Sequence, residues 1–191
     1  ISARKWAEDL LRKKTRELSK RVKELNCLFE VSKLFEEKRG GLAEIFQAIT
    51  ELIPPALQYP EITWSRITVG DFACHTTNFR DARWRLAAPI IAEEKTAGLL
   101  EVGYLEDKQQ AVFGPFLEEE ERLVRAIAER LGKTLERQWT EDALRDSEEK
   151  ARALINSTYD AVALLDRQGC LVPVNETWVK LFGGRMEAIK G

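Results

Sequence analysis

Histidine and cysteine are scarce in this sequence. Of 191 residues one is histidine, one methionine and three cysteine. The cysteines, Cys27, Cys74 and Cys170, are far apart and form no CxxC pair. Neither a zinc site nor a disulfide framework is suggested, and a reducing, cytoplasmic compartment is the default. His75, the lone histidine, follows Cys74. Strand alternation places the two on opposite faces, so they do not readily share a metal, and His75 reads as an ordinary edge-strand histidine. No apolar run approaches the roughly 18 residues of a membrane span. No secretory leader is recognisable. The first residue is Ile1 rather than Met, which reads as a fragment. There is no Ser-His-Asp set and no phosphate-cradling glycine loop. Gly40-Gly41 and Gly183-Gly184 are isolated pairs that read as helix ends. The expectation is a segment without catalytic residues, metal or evident cofactor.

Charge and apolar side chains are plentiful. The composition is 44% hydrophobic and 32% charged, which suits packed cores with long exposed helices rather than a disordered chain. The net charge of -2 is uneven. Residues 1–39 hold twelve Lys and Arg against seven Asp and Glu, a balance of +5 that leaves -7 for the rest. A basic helix can meet nucleic acid or an anionic membrane. Acidic residues are interleaved throughout this one, so it reads as a solvated face, with no nucleic-acid or membrane contact expected.

Residues 4–38 carry a helical pattern without glycine or proline. Leu11, Thr15, Leu18, Val22, Leu25 and Phe29 follow a 4-3-4-3-4 spacing. Leucine at one core position and β-branched residues at the other suit a parallel two-stranded coiled coil. The alternative is an amphipathic helix packed on its own domain. A second helix, with Leu42, Ile45, Phe46, Ile49 and Ile53 on one face, stops at Pro54-Pro55.

The period then changes from 3.6 to 2. Strands are expected over 62–69, 72–79, 84–92 and 97–105, with turns at Gly70-Asp71 and at 93–96. Consecutive strands with short links predict an antiparallel meander, roofed on one face by the two early helices. The fold class is therefore α+β, a sheet packed against helices and flanked by long helices at both ends. Gly114-Pro115 opens a long helix with Glu118 to Glu121 in its first turns, where the helix dipole favours acids. Its stripe is Leu123, Ile127, Leu131, Leu135 and Trp139, and it turns small and polar at Ala143, Ser147 and Ala151. After Ser157, strands at 161–166 and 170–174 and a helix at 175–182 are expected.

Two resemblances enter here. "VKELNCLFEVSKL", "LIPPALQYPEIT", "NFRDARW", "GLLEVGYLE" and "GPFLEEEERLVRAIAERLG" resemble a GAF-like sensor domain of bacterial signalling proteins. "EDALRDSEEKARALINSTYDAVALLDRQGCLVPVNETWVKLFGG" is similar to the start of a PAS domain, about its first third. The resemblance implies a signalling helix over 1–24, a GAF-like domain over 25–137, a connecting helix over 138–157 and a truncated PAS start over 158–191. It further implies a sensory or relay segment of a signal-transduction protein, of histidine-kinase type or a cyclic-dinucleotide synthase, with the output domain elsewhere. No phosphoacceptor histidine or ATP lid lies in this chain.

A self-associating parallel homodimer is expected through Leu11, Leu18, Val22, Leu25, Ile127, Leu131 and Leu135. Sensory members of the family bind small molecules against the sheet, which implies Trp64, Arg66, Phe72, Phe79 and Trp84 as pocket candidates for an unidentified ligand. Those aromatics read more readily as core. Arg80, Asp81, Arg83 and Arg85 form a charged cluster that could meet an anion or be a solvated loop. Two alternatives stay open: a small-molecule-binding module in which dimerisation is incidental, and a structural spacer with a vestigial sheet.

Overall fold

The computed structural model describes residues 3–37, 41–106, 116–169, 171–173 and 175–182. The chain divides into two compact units, Ile1–Glu136 and Arg137–Gly191.

The first unit is α+β, a four-stranded antiparallel sheet packed against helices. Helix α1 (Ala3–Glu37) precedes α2 (Leu42–Leu52) and two short 3-10 turns, Pro54–Ala56 and Pro60–Ile62. Strands β1 (Thr63–Val69), β2 (Phe72–His75), β3 (Trp84–Ala92) and β4 (Lys95–Tyr104) follow. Helix α3 (Glu118–Asn156) closes this unit and continues into the next. The expected helix opening at Gly114-Pro115 lies outside the described residues.

The strand order is β2-β1-β4-β3. This corrects the expected meander: two hairpins, β1-β2 and β3-β4, join through a β1-β4 pair. The cause lies after His75, where β2 ends rather than running on to Phe79. Asn78 Nδ2 donates to Thr63 O at 2.8 Å, and the Phe79 ring meets the Trp64 ring edge-on at 4.9 Å. The chain from Thr76 therefore folds back over β1 instead of pairing with β3.

Alternation along each strand sorts the sheet into two faces. Ile67, Leu100, Val102, Ala88 and Ile90 point to the helices and are buried. Against them pack Cys27, Val31 and Phe35 of α1, Ile45, Phe46 and Ile49 of α2, and Leu123, Ile127, Leu131 and Leu135 of α3. Each such aliphatic side chain removed from water contributes roughly 1.5–3 kcal/mol. Gly132 allows the closest approach of α3, because a Cβ there would overlap the backbone oxygen of Ile91.

Glu120, only 4% exposed, fixes the start of α3. As the third helical residue its carboxylate accepts Leu117 N at 2.8 Å, the return half of a capping box. It also accepts Gln58 N at 2.7 Å and the Tyr104 hydroxyl at 2.8 Å. Burial, and then the Glu120 charge, push the Tyr104 phenol well above its ordinary pKa.

In the second unit the end of α3 leads to the hairpin β5 (Ala163–Leu165) and β6 (Leu171–Pro173), then α4 (Glu176–Phe182). Cys170 and Gly183-Gly184 lie outside the described residues. The buried Asn175 binds Ile155 O, Asp160 O, Val162 N and Trp178 N through its side-chain amide.

Candidate functional site

The sheet face away from the helices carries polar chemistry in cross-strand rows. The first is His75, Arg66, Glu101 and Ala87, in register across β2, β1, β4 and β3. On one side lies the row Trp64, Gly103 and Arg85, and on the other Ala73, Thr68, Leu99 and Pro89. Glu101 is 4% exposed. Arg66 Nε donates to its Oε2 at 2.7 Å, Arg66 Nη2 binds the same oxygen, and Arg85 Nη1 lies 3.9 Å from Oε1. A buried carboxylate is thus paired and hydrogen-bonded, the condition under which burial of charge is tolerated.

Phe79 covers this row. The Arg66 guanidinium lies 5.0 Å from its ring centroid, and the His75 ring lies at 4.9 Å. Trp64, 2% exposed, lies under Phe79 and over Gly103, where any Cβ would overlap its indole. Its Nε1 is buried without an acceptor among the described residues.

The pocket candidates therefore divide. Trp64, Arg66 and Phe79 come together on the outer face. Phe72 pairs with Val69 on the other face and meets the Phe46 ring at 6.2 Å. Trp84 shares the Tyr104 row, also on the helix side, and the Arg83 guanidinium lies 5.4 Å from its ring. Arg80, Asp81, Arg83 and Arg85 are exposed. Glu101 was not picked out from the sequence, although its alternation opposite Arg66 is a signal once the register is known.

Both cysteines of this unit lie in the buried core. Cys27 Sγ donates to Leu52 O at 3.5 Å, and burial pushes its thiol up to about 11. Burial also raises Cys74, which is buried while the neighbouring His75 is exposed. Among the described residues no group of His, Cys, Asp and Glu is arranged to hold a metal ion. No helix among them is long and apolar enough to cross a membrane.

A second surface lies on α1. Every residue from Arg4 to Lys23 is exposed, about 30 Å of helix at 1.5 Å per residue. Leu11, Leu18, Val22, Leu25 and Phe29 are 54% to 67% exposed, whereas Cys27, Val31 and Phe35 enter the core. Thr15 Oγ1 donates to Leu11 O at 2.9 Å, so the polar position of this seam is satisfied within the helix. By contrast Ile127, Leu131 and Leu135, also expected at a dimer interface, lie in the core of their own unit. Their stripe is buried in one core cluster with residues of the sheet, α1 and α2. Where α1 passes the start of α3, the Glu24 carboxyl is raised by partial burial and then by the Glu119 charge.

No protein-family model matches the chain, and no curated protein matches it.

Proposed function

We propose that the chain is a dimeric relay segment of a signal-transduction protein. Residues 25–137 would act as a GAF-like sensor and 158–191 as the start of a PAS-like domain. Two copies associate in parallel through α1, and α3 carries the change toward an output domain of histidine-kinase type or a cyclic-dinucleotide synthase, in the cytoplasm. The observation that supports this reading is the exposed seam from Leu11 to Phe29. Helices in proteins draw most of their stability from packing of an apolar face rather than from propensity. Covering the seam removes apolar side chains from solvent at roughly 1 kcal/mol or more each.

The flanking charges favour the parallel alignment. With Leu at position d and Thr15, Val22 and Phe29 at a, the charged e and g residues are Lys5, Arg12, Lys14, Arg21 and Lys33, all cations. In a parallel pair g meets e, so Lys14 faces Ser19 and Arg21 faces Asn26 of the second copy. An antiparallel pair would set Lys14 against Arg21 at both ends. Replacing Leu18 and Leu25 together by Lys should give a folded monomer in sedimentation equilibrium, since both side chains are outside the core. A double variant that stays dimeric rejects the seam.

A second reading, a small-molecule sensor, draws on Trp64 Nε1, which has no acceptor among the described residues and lies beneath Phe79 and beside the Arg66–Glu101 pair. Native mass spectrometry of the purified chain separates the two. Retained mass that is lost in Arg66→Ala supports a ligand on the outer face; a dimer of bare chain mass supports the relay alone.

A further inference from the structure

Asn175, 3% exposed, uses both ends of its side-chain amide. Its Oδ1 accepts Val162 N at 3.0 Å and Trp178 N at 3.1 Å. Trp178 is the third residue of α4, so Asn175 is the N-cap of that helix. Its Nδ2 donates to Ile155 O at 3.1 Å, Asp160 O at 2.8 Å and Thr158 Oγ1 at 3.2 Å. Ile155 is in the last turn of α3, where carbonyls have no partner within the helix. Alongside, Asn156 Oδ1 accepts Glu176 N at 3.0 Å, and Thr177 Oγ1 donates to Thr158 O at 3.1 Å. A single buried amide thus binds the end of one helix and the start of another, and holds the segment that leads into the hairpin.

We infer that Asn175 is a positioning residue, the joint through which a displacement at the C-terminal end of α3 reaches β5 and α4. The inference rests on the relay reading and names where, within the second unit, the relay passes from α3 to the hairpin and α4. Its physical basis is an asymmetry. If α3 moved and α4 stayed, Nδ2 would lose Ile155 O, its acceptor in α3, and keep Asp160 O and Thr158 Oγ1 beyond the helix; a buried hydrogen bond would be lost, which is costly. If the hairpin and α4 follow, every bond is kept. Val162 N and Trp178 N engage both lone pairs of Oδ1, and three acceptors share the two hydrogens of Nδ2, so the amide is fully used at both ends.

The test is amide hydrogen exchange on the full chain. Ala151→Gly loosens the exposed last turns of α3 and should raise exchange of the β5 and α4 amides about fivefold where Asn175 is present. Asn175→Asp keeps the acceptor for Val162 and Trp178 and removes the donor to Ile155 and Asp160. In that background Ala151→Gly should leave β5 and α4 exchange unchanged. A merely structural Asn175 would lower protection in the Asp variant yet leave the response to Ala151→Gly intact, and that result overturns the inference. It is overturned equally if Ala151→Gly has no effect with Asn175 present, or if β5 and α4 are unprotected in the starting chain. Should the Asp variant unfold the second unit, Asn175→Ser keeps an N-cap oxygen, replaces the two amide hydrogens by a single hydroxyl hydrogen on a shorter side chain and gives the same comparison. None of these substitutions touches Leu11 to Phe29, so failure here is distinguishable from failure of the dimer.

Discussion

Glu120 shows how much one side chain can organise. Its carboxylate closes the first turn of α3, takes the amide of Gln58 and receives the hydroxyl of Tyr104. Tyr104→Phe removes one donor and should cost about 1 kcal/mol, whereas Glu120→Ala strands all three donors and should cost about 3 kcal/mol. Urea unfolding followed by near-ultraviolet circular dichroism checks the ranking, and equal losses would reject it. From the sequence, Glu118 to Glu121 are equivalent acids at a helix start. Only the packing of Tyr104 and Gln58 distinguishes Glu120. Trp64 was similarly half legible: alternation set its face, but the space above Gly103 that admits its indole depends on the β1-β4 register.

Elements were legible where the pattern was long or the turn chemistry explicit. Helix α1 and strand β3 fall where their periods placed them, because a helical stripe or a strict alternation is a local property. Strand β2 is shorter than its pattern: after His75 the chain leaves the sheet edge and Phe79 packs on Trp64. The β3-β4 turn is the least expected feature. Glu93 and Glu94 have φ of +50° and +61°, both in the left-handed region. A two-residue hairpin turn of this type matches the twist of its strands but favours Asn-Gly. Changing Glu93→Asn together with Glu94→Gly should therefore stabilise the first unit by about 1 kcal/mol and raise Tm by roughly 2–4 °C in calorimetry. The Gly70-Asp71 turn already has glycine at its positive φ and offers no such gain.

At the scale of the whole molecule the exposed seam and the cations beside it have a joint consequence. Apolar contact draws two α1 helices together while Arg12, Lys14 and Arg21 line both flanks with one sign of charge. Screening this repulsion should tighten the dimer, with Kd falling about threefold between 50 mM and 500 mM salt. Sedimentation at the two salt concentrations measures it, and weakening with salt would mean that attraction between unlike charges holds the two copies, against this prediction.

The sequence by itself determined the helical and extended segments, the α+β class and the existence of an apolar seam on α1. These follow from periodicity, from glycine and proline punctuation and from charge placement, all local properties of the chain. Tertiary structure decided the strand order, the division of the five pocket candidates between two faces, and the burial of Ile127, Leu131 and Leu135 in their own core. It also decided the roles of Glu101, Glu120 and Asn175. Each of these depends on which distant segment lies opposite, and that is settled by register and by the need of every buried polar group for a partner.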